Sequence, residues 1–413
     1  KVETSWGAGA AVKSDAEGRW AVSVRTPAGS YEPQRITFAS GDRVTFDRVL
    51  IGEVWFAGGQ SNMEMPLGGF WQCPVTDANE IIARADAKSG KLHYVKIPHA
   101  AAYTPQDRTA GSWTPCTTAT AAKFTAAGYF FAEMLNDVLG VPVGIIDCSW
   151  GGSRVESWMS REVLSGYSDI DLTEEGISRV AQHLRPMVMY NAMLRPVAGY
   201  TVRGFLWYQG ESNVGRYMDY AARLADMVSL WRGLWGRDDL PFYYVEIAPF
   251  EYGNGKSPYL REAQCRAQEL IPNSGMICTN DLVEPYEFCN VHPKNKRDVG
   301  YRLAFMALNK TYGMKEIACQ SPQYESMEIR DGKARIRFKY MDQGFNRMAD
   351  IRGFEICGAD KVFYPADAVV ENQFALVVSS EKVPEPVAVR YCFRDFQPGN
   401  LADTRELPVV PFR

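Results

Sequence analysis

Over the first fifty residues, apolar and polar positions change sides in short runs. Arg19-Trp20-Ala21-Val22-Ser23-Val24 alternates, as does Gln34-Arg35-Ile36-Thr37-Phe38, with Gly-, Pro- and Asp-containing turns between them. A period of two marks strands with one covered face. Residues 1–50 therefore read as part of a β-sandwich, N-terminally incomplete at Lys1. From residue 51 to about 318 the texture becomes strand and helix in alternation. Lys91–Ile97 reads as a strand. Val141–Cys148, Thr201–Trp207 and Phe242–Ala248 are near-continuous apolar runs, as expected when both faces of a sheet are covered. Phe124, Ala127, Phe131, Leu135 and Val138 recur at helical spacing and predict a helix over 121–139, stopped by Gly140. Helices are also predicted over 217–234, over 260–270, and after Pro293, which suits a first turn because its missing N–H costs nothing there. Such alternation implies a mostly parallel sheet wrapped by helices, with ligands at the carboxyl ends of its strands. Beyond residue 319 the period of two returns at Ala334–Phe338, Phe354–Ile356, Ala375–Val378 and Val387–Tyr391. Residues 319–413 are expected to complete the sandwich begun by 1–50, whose strand edges need cover.

Composition narrows the function. The chain has 413 residues, 46% of them hydrophobic, enough for a large core and more than one domain. Forty-five basic residues against 49 acidic ones give a net charge of −4. That balance provides no concentrated basic face for nucleic acid. No apolar run approaches the roughly 18 residues of a membrane span, and no signal peptide is visible at Lys1. Nine cysteines, an odd number without a C-x-x-C pair, argue against a disulfide framework. The four histidines (93, 99, 183 and 292) show no ligand spacing, so neither a metal site nor a cofactor is expected.

Four stretches carry chemistry, and each follows a predicted strand. The first is Gly58-Gly59-Gln60-Ser61-Asn62-Met63, where paired glycines permit a sharp turn that leaves a serine exposed at the end of a buried strand. The second, Ser149-Trp150-Gly151-Gly152-Ser153-Arg154, brings backbone N–H groups to a strand end, where they can stabilise an oxyanion. In the third, Tyr208-Gln209-Gly210-Glu211-Ser212-Asn213, Asn213 offers an uncharged amide donor and Gln209 can hold a substrate hydroxyl. The fourth, Glu287-Phe288-Cys289-Asn290-Val291-His292-Pro293, sets a histidine at a helix entry. A serine needs such a base to attack, and donors to receive the charge that develops. Arg154 can pair with a substrate carboxylate, which would select an acidic substrate, or lock Glu156 or another loop carboxylate. Phe70, Trp71 and Tyr208 are candidates for an apolar binding platform or for ordinary core packing.

Taken together, the four stretches resemble the sequence blocks of the SGNH hydrolases and, more narrowly, the sialate O-acetylesterase family. The likeness runs over nearly the whole chain. It implies a flavodoxin-like three-layer α/β/α catalytic domain over 51–318, flanked by a β-sandwich built from 1–50 and 319–413. It also implies a cofactor-free serine esterase acting on O-acetylated sugars, periplasmic or secreted. By that resemblance Ser61 is the nucleophile and His292 the base. The Ser61 and Gly152 N–H groups and the Asn213 side chain form the oxyanion hole, with Gln60, Gln209 and Arg154 on the substrate. There is one departure: many SGNH hydrolases carry an aspartate two or three residues before the histidine, where this chain has Asn290 and Cys289. Three arrangements fit: a backbone carbonyl holding the imidazole; Glu287, Glu284 or Asp281 reaching back to it; or an impaired enzyme. The substrate alternatives are sialic acid esters and acetylated xylan or another glycan. A third reading is a carbohydrate binder that no longer catalyses.

Overall fold

The computed structural model describes all 413 residues. Four strands, β1 (Val2–Thr4), β2 (Gly9–Ala10), β3 (Ser30–Ser40) and β4 (Asp42–Ile51), form an antiparallel sheet in the order β2-β1-β3-β4. Arg19–Val24 is not among them; its alternation is met by irregular backbone. The central sheet follows: β5 (Glu53–Gly59), β6 (Leu92–Lys96), β7 (Thr114–Pro115), β8 (Val143–Ser149), β9 (Gly204–Tyr208), β10 (Phe242–Val245) and β11 (Ser274–Ile277). Their order is β11-β10-β9-β5-β8-β6-β7, parallel except for the edge strand β7. From β5 the chain runs out to β6 and the edge strand β7, comes back to β8 beside β5, and then crosses to build the other half outward through β9, β10 and β11. The strand order therefore reverses at β5, and a crevice opens at the carboxyl edge there.

Helices cover both faces of this sheet. Phe56 of β5 joins a core with Trp231 and Leu260, which lie on the helices Tyr220–Trp235 and Ser257–Leu270. Its neighbours Trp55 and Ala57 face the opposite core, with Phe131 and Leu303 on the helices Ala126–Leu139 and Arg297–Lys310. Alternate residues of one strand thus serve two cores, which is why these strands read as unbroken apolar runs. The last two helices approach closely at Gly300, where a Cβ would lie 2.5 Å from Phe130 Cβ and 2.7 Å from the Ala127 carbonyl oxygen. The helix after His292 starts at Arg297, so Pro293 stands in the preceding loop and not in the first turn. The cause is local: the Lys296 side chain folds back onto the Pro293 carbonyl at 2.8 Å and holds an open loop.

The expected sandwich between the two chain ends does not form. Residues 323–391 make two sheets of their own, of four and three strands, closed around a core drawn entirely from positions 334–412. Residues 1–50 contribute nothing to that core. The N-terminal sheet leans on the catalytic unit instead, where Asn136 donates to the Tyr31 hydroxyl at 2.7 Å, and Val44 and Phe46 stay more than half exposed. The C-terminal segment is keyed to the central unit. Asp395 accepts the N–H groups of Asn254, Gly255 and Ser257 at 2.8–3.2 Å, which satisfies donors at the start of the Ser257–Leu270 helix. From the same helix Gln264 donates to the Gln209 carbonyl at 3.1 Å.

Candidate active site

Gly59 closes β5 with φ 145°, and a Cβ there would fall 2.2 Å from the Tyr208 carbonyl oxygen. Only glycine fits that bend. The chain then enters the one-turn helix Ser61–Glu64, so Ser61 stands where the first N–H groups have no intrahelical acceptor. Strand register sets the other blocks alongside. Gly59 pairs with Ser149 on one side and Tyr208 on the other, so Trp150–Gly152 and Gln209–Asn213 emerge on either flank of Ser61. A Cβ on Gly151 would lie 3.4 Å from Ser61 Cβ. Ser212 Oγ donates to the Gly152 carbonyl at 2.8 Å, and the Val155 N–H donates to Asn213 Oδ1 at 3.1 Å. The fourth block joins through Asn62, which donates to the Val291 carbonyl at 2.9 Å. Ser61, Gly152, Asn213 and His292 are thereby gathered at one carboxyl edge.

Accounting for donors separates neighbouring N–H groups. That of Gly151 is spent on Glu64 Oε2 at 2.7 Å, while that of Gly152 has no acceptor within the protein. Asn213 is buried, and one hydrogen of its Nδ2 goes to Glu156 Oε2 at 2.9 Å. A primary amide carries two, so the second remains. Glu156 is itself held by Arg223 and Arg216, which fixes the amide in place.

The imidazole of His292 packs edge-on against Phe70, with ring centres 5.3 Å apart. Its Nε2 is buried and unpartnered. Burial first, and then the charge of Lys296, pulls its pKa down to about 4, so it is neutral and able to accept a proton at neutral pH. None of the carboxylates considered from sequence reaches it. Asp281 is gripped by Arg302 at 2.8 and 2.6 Å. Glu287 accepts the N–H groups of Glu284 and Lys294 and so shapes its own turn. The nearest cation to Glu284 is Lys294, at 4.0 Å. Asn290 Oδ1 takes the backbone N–H of His292 at 2.9 Å and leaves the ring alone. The atom beside Nδ1 is Cys73 Sγ, at 3.8 Å.

Two of the expected substrate contacts are framework instead. Gln209 is fully buried, and its amide bonds Gln60, Ser153, Asn213 and Tyr220, so no sugar hydroxyl can use it. Gln60 spends its carbonyl oxygen on the N–H groups of Gly210 and Ser212, at 3.3 Å each. Both glutamines tie the first block to the third, a demand the turn sequence does not reveal. Arg154 differs. It donates through Nε to the Ser212 carbonyl at 3.3 Å and forms no ion pair, because Glu156 is already occupied. Tyr208 is buried and cannot be a platform, whereas Trp71 is 85% exposed.

Several site residues carried no sequence signal. Glu64 lies one helical turn after Ser61 and binds Gly151, Lys96 (3.2 Å) and His99 (2.8 Å). His99 in turn stacks on Trp150 with ring centres 4.4 Å apart. His183 covers Gly152, where a Cβ would come within 2.8 Å of its Cδ2. Lys296 is fully buried, donating to Asn62 Oδ1 at 2.7 Å, and Asn62 donates to Glu211. Burial drives both charged groups toward neutrality, lowering Lys296 and raising Glu211. This network lashes the Ser61 turn to the His292 loop. No group of three or more His, Cys, Asp or Glu residues converges as a metal site would require, all nine cysteines are free, and no helix is long and apolar enough to cross a membrane.

A family model described as carbohydrate esterase, sialic acid-specific acetylesterase matches residues 51–309, more than half of the chain. The protein belongs to this family. Within it, the chain is 26% identical over 401 residues to the sialate O-acetylesterase of Mus musculus, covering 84% of this chain and 73% of that one. It is 27% identical over 337 residues to that of Homo sapiens, covering 76% of this chain and 64% of the human protein. The crystal structure of a carbohydrate acetylesterase from Xanthomonas citri matches with a TM-score of 0.88 at 34% identity, covering 100% of this chain and 91% of that one. The protein is accordingly a carboxylic ester hydrolase, a carbohydrate acetylesterase whose substrate class is O-acetylated sugar.

Proposed function

We propose that the protein removes O-acetyl groups from sialic acids through an acetyl-serine intermediate. Ser61 Oγ attacks the acetyl carbonyl carbon while His292 Nε2 takes its proton. The oxyanion is received by the N–H groups of Ser61 and Gly152 and the free hydrogen of Asn213 Nδ2, each such donor being worth about 3 kcal/mol. As the tetrahedral intermediate collapses, the C–O bond to the sugar breaks and His292 returns the proton to the leaving oxygen. Water, deprotonated by His292, then attacks acetyl-Ser61; the acyl–Oγ bond breaks, His292 returns the proton to Ser61 Oγ, and acetate leaves. The observation that carries the sialic acid reading is Arg154, a guanidinium two residues from Gly152 with no carboxylate partner of its own. A sugar carboxylate supplies that partner. On the same reading, residues 51–318 are a flavodoxin-like three-layer α/β/α catalytic domain between segments 1–50 and 319–413, and the enzyme works in the periplasm or outside the cell.

Acetate release tests this, with 9-O-acetylated sialic acid, acetylated xylan and p-nitrophenyl acetate given to wild type, Ser61→Ala and Arg154→Ala. Release from the sialic acid that needs both residues supports the reading. Release from xylan that is indifferent to Arg154 keeps the chemistry and replaces the substrate with a neutral glycan. Should Ser61→Ala match wild type, or serine-directed phosphonates fail to label Ser61, the catalytic assignment falls and a carbohydrate-binding role takes its place.

A further inference from the structure

We infer that Cys73 is a positioning residue for the esterase reaction, its thiol standing beside His292 Nδ1 where other serine hydrolases place a carboxylate. The inference rests on His292 being the base. Three contacts carry it. Cys73 Sγ is 3.3 Å from Asn290 Oδ1 and 3.8 Å from His292 Nδ1, distances suited to the large radius of sulfur. Asn290 Oδ1 is also bound by the His292 backbone N–H, so thiol, amide and histidine form one closed set. The opposite ring nitrogen, Nε2, is buried and unpartnered.

The thiol donates to Asn290 Oδ1, and its lone pairs face Nδ1. Sulfur is a weak acceptor, but no other acceptor competes for this hydrogen. With the hydrogen on Nδ1, the free pair lies on Nε2, which is the tautomer a base needs toward Ser61. Burial keeps the thiol protonated by raising its pKa, so no negative charge accompanies the positioning. The charge that acts on the imidazole is that of Lys296, from the loop that follows it; its ammonium is tied through Asn62 to Glu211 and does not bond the ring. The sequence pointed to a backbone carbonyl or to Glu287, Glu284 or Asp281 for this role, because Cys73 is over two hundred positions from His292, on a loop with no motif.

The test compares Cys73→Ala and Cys73→Asp with wild type and His292→Ala, on p-nitrophenyl acetate over pH 3.5–8. In Cys73→Ala, kcat should fall by about tenfold with KM within about twofold, a part of the roughly 10²–10⁴-fold that a positioned base contributes. Cys73→Asp should recover kcat and move the acid limb of the rate profile to higher pH, because a carboxylate on Nδ1 stabilises the imidazolium. A second measurement is independent of variant folding: methanethiosulfonate treatment of a Cys289→Ser background, which removes the exposed thiol. Activity should fall as Cys73 is blocked and return with dithiothreitol. Wild-type kcat in Cys73→Ala, a loss confined to KM, or full activity after complete blocking of Cys73 would overturn the inference. If His292→Ala is inactive while Cys73→Ala is unaffected, this inference alone falls. If His292→Ala stays active, the base assignment falls and takes this inference with it.

Discussion

Replacing Glu64 by glutamine should cost stability in a pH-dependent way. Its side chain is only 13% exposed. Burial works to raise its pKa, but the bond to His99, the charge of Lys96 and the Gly151 N–H together bring it from an ordinary 4.5 down to about 2. At about 1.4 kcal/mol per pH unit, that favours the folded state by about 3 kcal/mol when the carboxylate is ionised. The sign follows from the depressed value. The contribution is complete above pH 4.5 and drains away as pH falls toward 2. Urea unfolding at pH 7 should show Glu64→Gln less stable by about 2–3 kcal/mol, with less than half of that gap left at pH 3. kcat should fall as well, since Glu64 fixes Gly151 against the Ser61 turn. A gap of the same size at both pH values would mean that shape, not charge, holds the cluster. No gap at pH 7 would refute the electrostatic reasoning outright.

Other expectations can be checked with the same ester assay. Asn213→Ala should lower kcat by roughly 10²–10³ with little change in KM, the signature of a lost oxyanion donor. Arg154→Ala should raise KM for 9-O-acetylated sialic acid and leave p-nitrophenyl acetate turnover within about twofold, because only the first substrate offers a carboxylate. Because burial and Lys296 hold His292 near a pKa of about 4, the wild-type kcat/KM should remain flat down to about pH 5 and fall only as the base protonates. Gly300→Ala should cost about 1–3 kcal/mol in urea unfolding, because its Cβ would meet the backbone of the facing helix.

What could be read from the sequence was set by local rules. The near-continuous apolar runs gave the buried strands at or near their observed places, and the paired glycines located the turns because backbone geometry demands them. The four blocks lie at one carboxyl edge because each follows a strand of the same sheet. What escaped reading depends on long-range contact. Gln60 and Gln209 look like exposed polar residues in turns, yet the register of β5 against β9 buries them against each other. The Arg19–Val24 alternation had no partner strand to realise it. Lys296 sits at helix entry like any solvated lysine, and only the packing of Asn62 and Glu211 around it makes it internal. The placement of Cys73 was likewise beyond periodicity or spacing.

The Asp395 clamp bears on how the molecule comes apart. A carboxylate from the C-terminal segment satisfies the first N–H groups of the Ser257–Leu270 helix, and that helix supports the Gln209 loop beside Asn213. The two regions therefore share one network rather than meeting at a slippery interface. Calorimetry should record them melting in a single cooperative transition, and chain shortened at residue 319 should lose the esterase along with the strands.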